Sequence, residues 1–121
     1  LALVFQPEKD FKDGIEFVTD DASLLQLGYM KYQKNKLIQP HIHKPYERIT
    51  NGTNEVLFVE SGRVKVDFYS ESKEFVESLE VFQGSWIVLL EGGHGFETLE
   101  ETSMVEVKNG PYANDQDKER F

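Results

Sequence analysis

The chain has 121 residues and a mass of 14.0 kDa, which fits a single domain over residues 1–121 that ends in a polar tail at 109–121. It carries 13 Lys and Arg against 22 Asp and Glu, giving a formal net charge of −9. Phosphate binding needs clustered cations, so this balance argues against nucleic acid and anionic membranes and favours a small-molecule partner. The absence of cysteine excludes disulfides and thiolate metal sites and agrees with a cytoplasmic protein.

Short apolar segments alternate with turn residues along the whole chain. A polar turn region is expected at 6–14, and Lys44 to Asn54 is expected to be a polar loop. The regular spacing predicts an all-β barrel or jelly roll of eight to ten strands without helices. The predicted strands cover 1–5, 15–19, 24–32, 37–43, 55–60, 63–69, 75–82, 86–90, 96–99 and 104–107.

Four of these segments have informative patterns. Charged and apolar side chains alternate in 63–69, which predicts one buried face. Segment 75–82 fits a short amphipathic helix or a strand, and we favour a strand because turns flank it at strand-like spacing. Segment 86–90 is apolar throughout and is expected to be buried on both sides. Pro40 places 37–43 at a sheet edge or a bend.

The chain contains only three histidines, His41, His43 and His94. His41 and His43 stand at i, i+2, so on a strand their side chains point to the same face. His94 follows a Gly-Gly pair in a predicted turn, and Glu55 opens an apolar strand. Three imidazoles and one carboxylate suit a divalent transition metal, Fe, Mn, Zn or Ni, with positions open for water or substrate.

A second carboxylate competes for the fourth ligand position. Glu47 follows His43 at a short spacing, whereas Glu55 lies in a predicted strand. We favour Glu55, because a strand residue is held more rigidly than a loop residue beside Pro45. The alternative for Glu47 is a solvated charge.

These residues resemble the two motifs of the cupin superfamily over roughly residues 37 to 98. The first motif, G-x5-H-x-H-x3,4-E-x6-G, is matched by His41, His43, Glu55 and Gly62. The second, G-x5-P-x-G-x2-H-x3-N, is matched by Gly84, Gly92 and His94. The chain departs from the motifs in five places. Asn35 stands where the first Gly belongs, the gap before Glu55 is longer, Leu90 replaces the Pro, the spacing before His94 is one residue short, and Thr98 stands at the Asn position.

The resemblance implies a jelly-roll barrel that holds a metal on three histidines and one glutamate, and a homodimer. The chain is also similar to small cupins of surface-sugar biosynthesis, including nucleotide-sugar ketoisomerases. That similarity implies an isomerase or epimerase acting on a small carbohydrate-like or keto-containing substrate. Three alternatives stay open: a non-catalytic sugar- or small-molecule-binding cupin, an iron-dependent dioxygenase, and a metal-free isomerase that uses a histidine as its base.

Further residues are candidates for the chemistry around the histidines. Tyr46, Glu47 and Arg48 are candidate catalytic residues, with Tyr46 or Glu47 as a base. Lys44 and Arg48 would meet an anionic substrate, although exposed surface charges explain them equally well. Tyr29 and Phe58 are candidates for stacking against a substrate, and a place in the core is their alternative role.

Overall fold

The computed structural model describes residues 1–6 and 11–121. These residues form nine β-strands and no helix, which confirms the all-β prediction. The described part of the chain therefore has no helix long and apolar enough to cross a membrane. The strands are β1 (Ala2–Phe5), β2 (Gly14–Phe17), β3 (Gly28–Lys31), β4 (Glu55–Ser61), β5 (Arg63–Tyr69), β6 (Phe75–Phe82), β7 (Trp86–Leu89), β8 (Gly93–Thr98) and β9 (Ser103–Lys108).

The strands pair antiparallel in three sheets. The first sheet has the order β1-β7-β4-β9, the second is the hairpin β2-β3, and the third has the order β6-β5-β8. Within the described residues none of these sheets closes into a barrel, so the jelly-roll barrel stays a prediction. The strands β8 and β9 are edge strands of two different sheets.

The hydrophobic core joins the first sheet to the third. Along β5 the apolar side chains are buried and the charged ones between them are not, as the alternation predicts. Along β4, Leu57 and Val59 point into the same cluster, because residues two apart on a strand share a face. The cluster consists of Leu57, Val59, Val64, Val66, Phe68, Val81, Ile87 and Leu89.

A row of aromatic rings covers the other face of the first sheet. Phe58 on β4 packs against Trp86 on β7, with ring centroids 4.7 Å apart. Trp86 stacks on Phe5, and Phe5 meets Phe11 edge-on. Phe11 in turn stacks on Tyr29 of β3 at 3.9 Å. The row therefore ties the small β2-β3 hairpin to the main body of the protein.

The structure differs from the predicted strands in three places. No strand forms at 37–43, and of 24–32 only Gly28–Lys31 is a strand. Pro40 and Pro45 lack the backbone N–H that a sheet ladder needs, and Asn35 has a φ of 66°, which turns the chain just before this segment. His94 lies within β8 rather than in a turn. In the predicted turn region 6–14, residues 7–10 lie outside the described residues.

Other local predictions are confirmed. Segment 75–82 is a strand with the predicted bounds and not a helix. Strand β7, Trp86–Leu89, is buried in three of its four residues, in agreement with its uniformly apolar sequence. The fold thus brings two sheets face to face with their strand ends open at one side, where Glu55 begins β4 and His94 lies near the start of β8.

Candidate functional site

Glu55 and His94 reach each other from two facing sheets. Glu55 shares a face of β4 with Leu57 and Val59, so its side chain points toward the third sheet. His94 on β8 is paired in register with Phe68 of β5, and paired residues point to the same side of a sheet. Because Phe68 belongs to the core cluster, His94 also points inward. The two side chains therefore meet at the open end of the core.

Their contact is close and partly shielded from water. Nε2 of His94 lies 3.2 Å from Oε2 of Glu55, and the side chains are 30% and 11% exposed. The hydrogen bond with His94 lowers the pKa of Glu55 below its usual range, and burial opposes this shift. The charges of His94, Lys108 and Lys118 lower the pKa further. Glu55 is thus an ionised carboxylate near neutral pH.

The pair lines a cavity of about 1090 Å³. This volume slightly exceeds the usual range of roughly 300–1,000 Å³ for small-molecule sites. Its walls are the start of β4, the turn and strand at 89–96, the end of β9, and the tail residues 117–121. Both signs of charge stand on these walls. The cationic side chains are Lys73, Lys108, Lys118 and Arg120, and the carboxylates are Glu55, Glu91, Glu106, Asp117 and Glu119.

The tail forms part of the cavity wall. The Phe121 ring packs edge-on against Tyr69, with centroids 5.2 Å apart. Lys73 forms an ion pair of 2.6 Å with Glu119, and Thr53 donates a hydrogen bond of 3.2 Å to Asp117. The tail, which the sequence indicates only as polar, is thereby attached to β5, the β5-β6 turn and the loop before β4.

Gly92 fixes the turn that leads into β8. Its φ is +81°, in the left-handed region that residues with a Cβ rarely adopt. A Cβ built there would lie 2.5 Å from the carbonyl oxygen of Tyr69 and equally close to Leu1. Only glycine allows the chain to pass so close to β5 before it reaches His94.

His41 and His43 lie elsewhere on the chain. They belong to the exposed stretch between β3 and β4 and are not among the described residues that line the cavity. Their rings are 5.3 Å apart, and Nδ1 of His41 is 3.0 Å from the carbonyl oxygen of Gln39. Within residues 1–6 and 11–121, no three His, Cys, Asp or Glu side chains converge as metal ligands. The four-ligand metal site stays a prediction.

The chemistry of the Glu55–His94 pair nevertheless fits a metal. Two ligand atoms that are each about 2.1 Å from one tetrahedral metal lie about 3.4 Å apart. The observed separation of 3.2 Å is close to this value. An imidazole nitrogen and a carboxylate oxygen are also donors that Zn, Fe, Mn and Ni accept.

The remaining candidate residues are placed away from this pair. Lys44 and Glu47 are exposed, and the Arg48 guanidinium lies over the ring of the exposed Tyr46, 5.0 Å from its centroid. Tyr29 and Phe58 pack in the aromatic row described above. None of these six described residues lines the cavity. Their catalytic and substrate-binding roles stay predictions.

Several cavity residues were not found from the sequence. Lys108 stands beside Glu55 because β4 pairs with β9 in that register. Lys118 and Phe121 line the cavity because the tail folds back onto β5, where the Phe121 ring meets Tyr69. The apolar pattern of 104–107 indicates a strand but not its partner, and the polar tail carries no periodic signal. Pairing between distant segments was the missing information.

Comparison of the chain with protein-family models, with curated proteins and with solved structures found no match.

Proposed function

We propose that the protein is a jelly-roll metalloprotein of the cupin type. It binds a divalent transition metal through Glu55 and His94, to which the His41–His43 pair, outside the cavity in this structure, would be added as further ligands. It isomerises or epimerises a small carbohydrate-like or keto-containing compound. The observation that carries this proposal is the contact of Glu55 with His94 on the wall of a large cavity.

The arrangement of the sheets supports the fold part of the proposal. Two antiparallel sheets face each other across one apolar cluster, and the open end of that cluster holds the two polar residues. Edge strands of both sheets, β8 and β9, leave room for further strands, and a jelly roll has eight strands in two sheets. The motif residues of the resemblance, Glu55 and His94, are the two that meet.

The residues around the cavity support the proposed binding of a metal and a small substrate. A bound divalent metal would act as a Lewis acid that polarises a carbonyl or hydroxyl oxygen of the substrate. Glu55 and His94 would hold it from opposite sheets. Lys108 and Lys118 stand near Glu55 and would attract an anionic group such as a carboxylate or a phosphate. The Phe121 ring adds an apolar surface to the cavity wall.

The contact between Glu55 and His94 also favours a second candidate function, that of a metal-free isomerase. A carboxylate hydrogen-bonded to an imidazole orients the ring and stabilises its protonated form, as required for a histidine that moves a proton. Glu55 would then orient His94, and His94 would take the proton from a carbon next to a carbonyl. Metal content separates this candidate from the first.

The first experiment measures metal in untagged protein. We expect about one metal per chain and a lower melting temperature after chelation, because a ligand present at a hundred times its Kd stabilises the native state by about 2.7 kcal/mol. His41→Ala and Glu55→Gln should each lose metal. Glu106→Gln, which alters another carboxylate on the cavity wall, is the matched control and should keep it.

Protein that contains no metal, takes up none of Fe, Mn, Zn or Ni and melts unchanged with chelator would refute the metal proposal. The metal-free candidate would then be tested by His94→Ala, which should abolish turnover in that case.

The second experiment looks for turnover. The protein is incubated with nucleotide-sugars and keto acids, with each metal added singly, and the products are analysed by mass spectrometry and NMR. Isomerisation leaves the mass unchanged and moves the NMR signals, whereas oxygenation adds mass. Ligands that bind but are never converted would indicate a binding protein instead of an enzyme.

A further inference from the structure

The chain contains two Asn-Gly pairs, Asn51-Gly52 and Asn109-Gly110. In such a pair the backbone nitrogen of the glycine can attack the side-chain amide carbon of the asparagine, because a glycine has no Cβ that obstructs the approach. The attack requires that the two atoms come close in a suitable orientation, so the fold decides whether a pair reacts. The structure places the two pairs in different surroundings.

The side-chain amide of Asn109 is held at both of its polar atoms. Its Oδ1 accepts a hydrogen bond of 2.8 Å from the backbone N–H of Asn54, and its Nδ2 donates one of 3.1 Å to the carbonyl oxygen of Gly52. Asn109 is also partly buried, directly after β9. Its amide carbon can turn toward the nitrogen of Gly110 only after these hydrogen bonds break, which protects this pair.

Asn51 has none of these restraints. Asn51 and Gly52 are both exposed in the loop before β4. Within the part of the chain that the structure describes, the Asn51 amide and the Gly52 N–H have no hydrogen-bond partner. A Cβ built at Gly52 would meet nothing within 4 Å, so the space beside this residue is open. The hydrogen bond from Asn109 holds the peptide unit that follows Gly52 and leaves the unit between Asn51 and Gly52 free to rotate.

We propose that Asn51 is a site of spontaneous deamidation, which the fold exposes while it protects Asn109. The Gly52 nitrogen forms a bond to Cγ of Asn51, the Cγ–Nδ2 bond breaks, and the proton of the Gly52 N–H leaves with Nδ2 as ammonia. Water then opens the resulting succinimide ring at one of its two carbonyls. Opening at the side-chain carbonyl gives aspartate, and opening at the main-chain carbonyl gives isoaspartate.

Both products change the wall of the cavity. Asn51 lines the cavity, so either product adds a carboxylate there in a chain whose net charge is already −9. Isoaspartate also lengthens the main chain by a carbon ahead of Asn54, whose hydrogen bonds to Asn109 and Leu90 hold the start of β4. The modification therefore acts on the segment that leads to Glu55, and it is independent of the proposed function.

The first test follows both pairs in one sample of wild-type protein. Tryptic peptide 49–63 contains Asn51, and tryptic peptide 109–118 contains Asn109. Folded protein is incubated for days at mildly alkaline pH, and the mass gain of an amide-to-acid exchange is located by fragmentation of each peptide. We expect Asn51 to react at least about tenfold faster than Asn109, because Asn109 must first give up its hydrogen bonds.

The same incubation in concentrated urea is the control. Unfolding removes the hydrogen bonds of Asn109, so the two pairs should then react at similar rates. Equal rates in the folded protein would overturn the proposal. A tenfold difference that persists in urea would overturn it as well, because neighbouring residues rather than the fold would then cause the difference.

The second test uses the intact protein and two variants. Incubated wild-type protein should give an additional acidic species in anion-exchange chromatography and release ammonia. Asn51→Gln should not form this species, because its longer side chain closes a less favourable ring. Gly52→Ala should form it more slowly, because the new Cβ obstructs the approach to the nitrogen. An acidic species of equal amount from Asn51→Gln protein would show that a different residue reacts and would overturn the proposal.

Discussion

Replacing Gly92 with alanine tests whether the turn before β8 packs against β5 as described. The change is expected to destabilise the protein in two ways. A φ of +81° disfavours a residue with a Cβ by about 1–2 kcal/mol. The new Cβ would also lie 2.5 Å from the Tyr69 carbonyl oxygen, so the backbone must move. Overpacking of this kind costs about 1–3 kcal/mol more.

Gly52→Ala is the matched control. Gly52 has a φ of +101°, but a Cβ built there would meet nothing within 4 Å. Both variants lose the same chain entropy in the unfolded state and suffer similar backbone strain, so the difference between them reports the close approach to Tyr69. We expect Gly92→Ala to be less stable than Gly52→Ala by about 1–3 kcal/mol.

Urea denaturation of both variants measures this difference, and NMR spectra of the imidazole signals report whether His94 moves. Since 1 kcal/mol changes the melting temperature of a domain of this size by roughly 3–5 °C, melting curves serve as a second measurement. Equal losses in the two variants, with unchanged signals from His94, would refute the packing of this turn against β5.

Three other predictions follow from the packing and the charges. In metal-free protein the lowered pKa of Glu55 stabilises the fold above the unfolded-state pKa of about 4.3, and this contribution is lost as the pH falls through the lower folded-state pKa. Melting curves of wild type and Glu55→Gln should therefore differ at pH 7 and converge near pH 3. A difference in melting temperature that stays the same at both pH values would contradict this prediction. Ile87→Ala in the fully buried core should cost about 2–5 kcal/mol in urea denaturation, whereas Val76→Ala on the exposed β6 should cost well under 1 kcal/mol. Phe121→Ala should speed amide hydrogen exchange in residues 115–121. The loss in the free energy of unfolding should be about 1 kcal/mol or less, because the ring is largely exposed. Unchanged exchange would show that the ring does not hold the tail.

The sequence predicted what is set by neighbouring residues. The alternation in 63–69 identified the buried face of β5, since side chains of a strand alternate between two faces whatever its partner is. The apolar run at 86–90 identified a buried strand, β7, in the same way. The sequence also indicated His94, as one of only three histidines, and Glu55, as the carboxylate that opens an apolar strand, and these two residues meet in the structure.

The sequence did not predict what is set by pairing between distant segments. The Lys108 position beside Glu55 follows from the β4-β9 register, and the wall formed by Phe121 follows from the return of the tail. The sequence also predicted a strand at 37–43, and this prediction is wrong. No strand forms there, because Pro40 lacks the backbone N–H that a sheet ladder needs and Asn35, with a φ of 66°, turns the chain just before this segment.

The two ends of the chain as printed lie close to the candidate site, which affects how the protein must be produced. The Leu1 carbonyl accepts a hydrogen bond of 2.9 Å from the Leu90 backbone, at the turn that leads to His94, and Phe121 lies on the cavity wall. A polyhistidine tag fused at either end would therefore begin beside the Glu55–His94 pair and offer it extra imidazoles. Metal bound by such a fusion would report the tag as well as the protein, so stoichiometry has to be measured after the tag is cleaved.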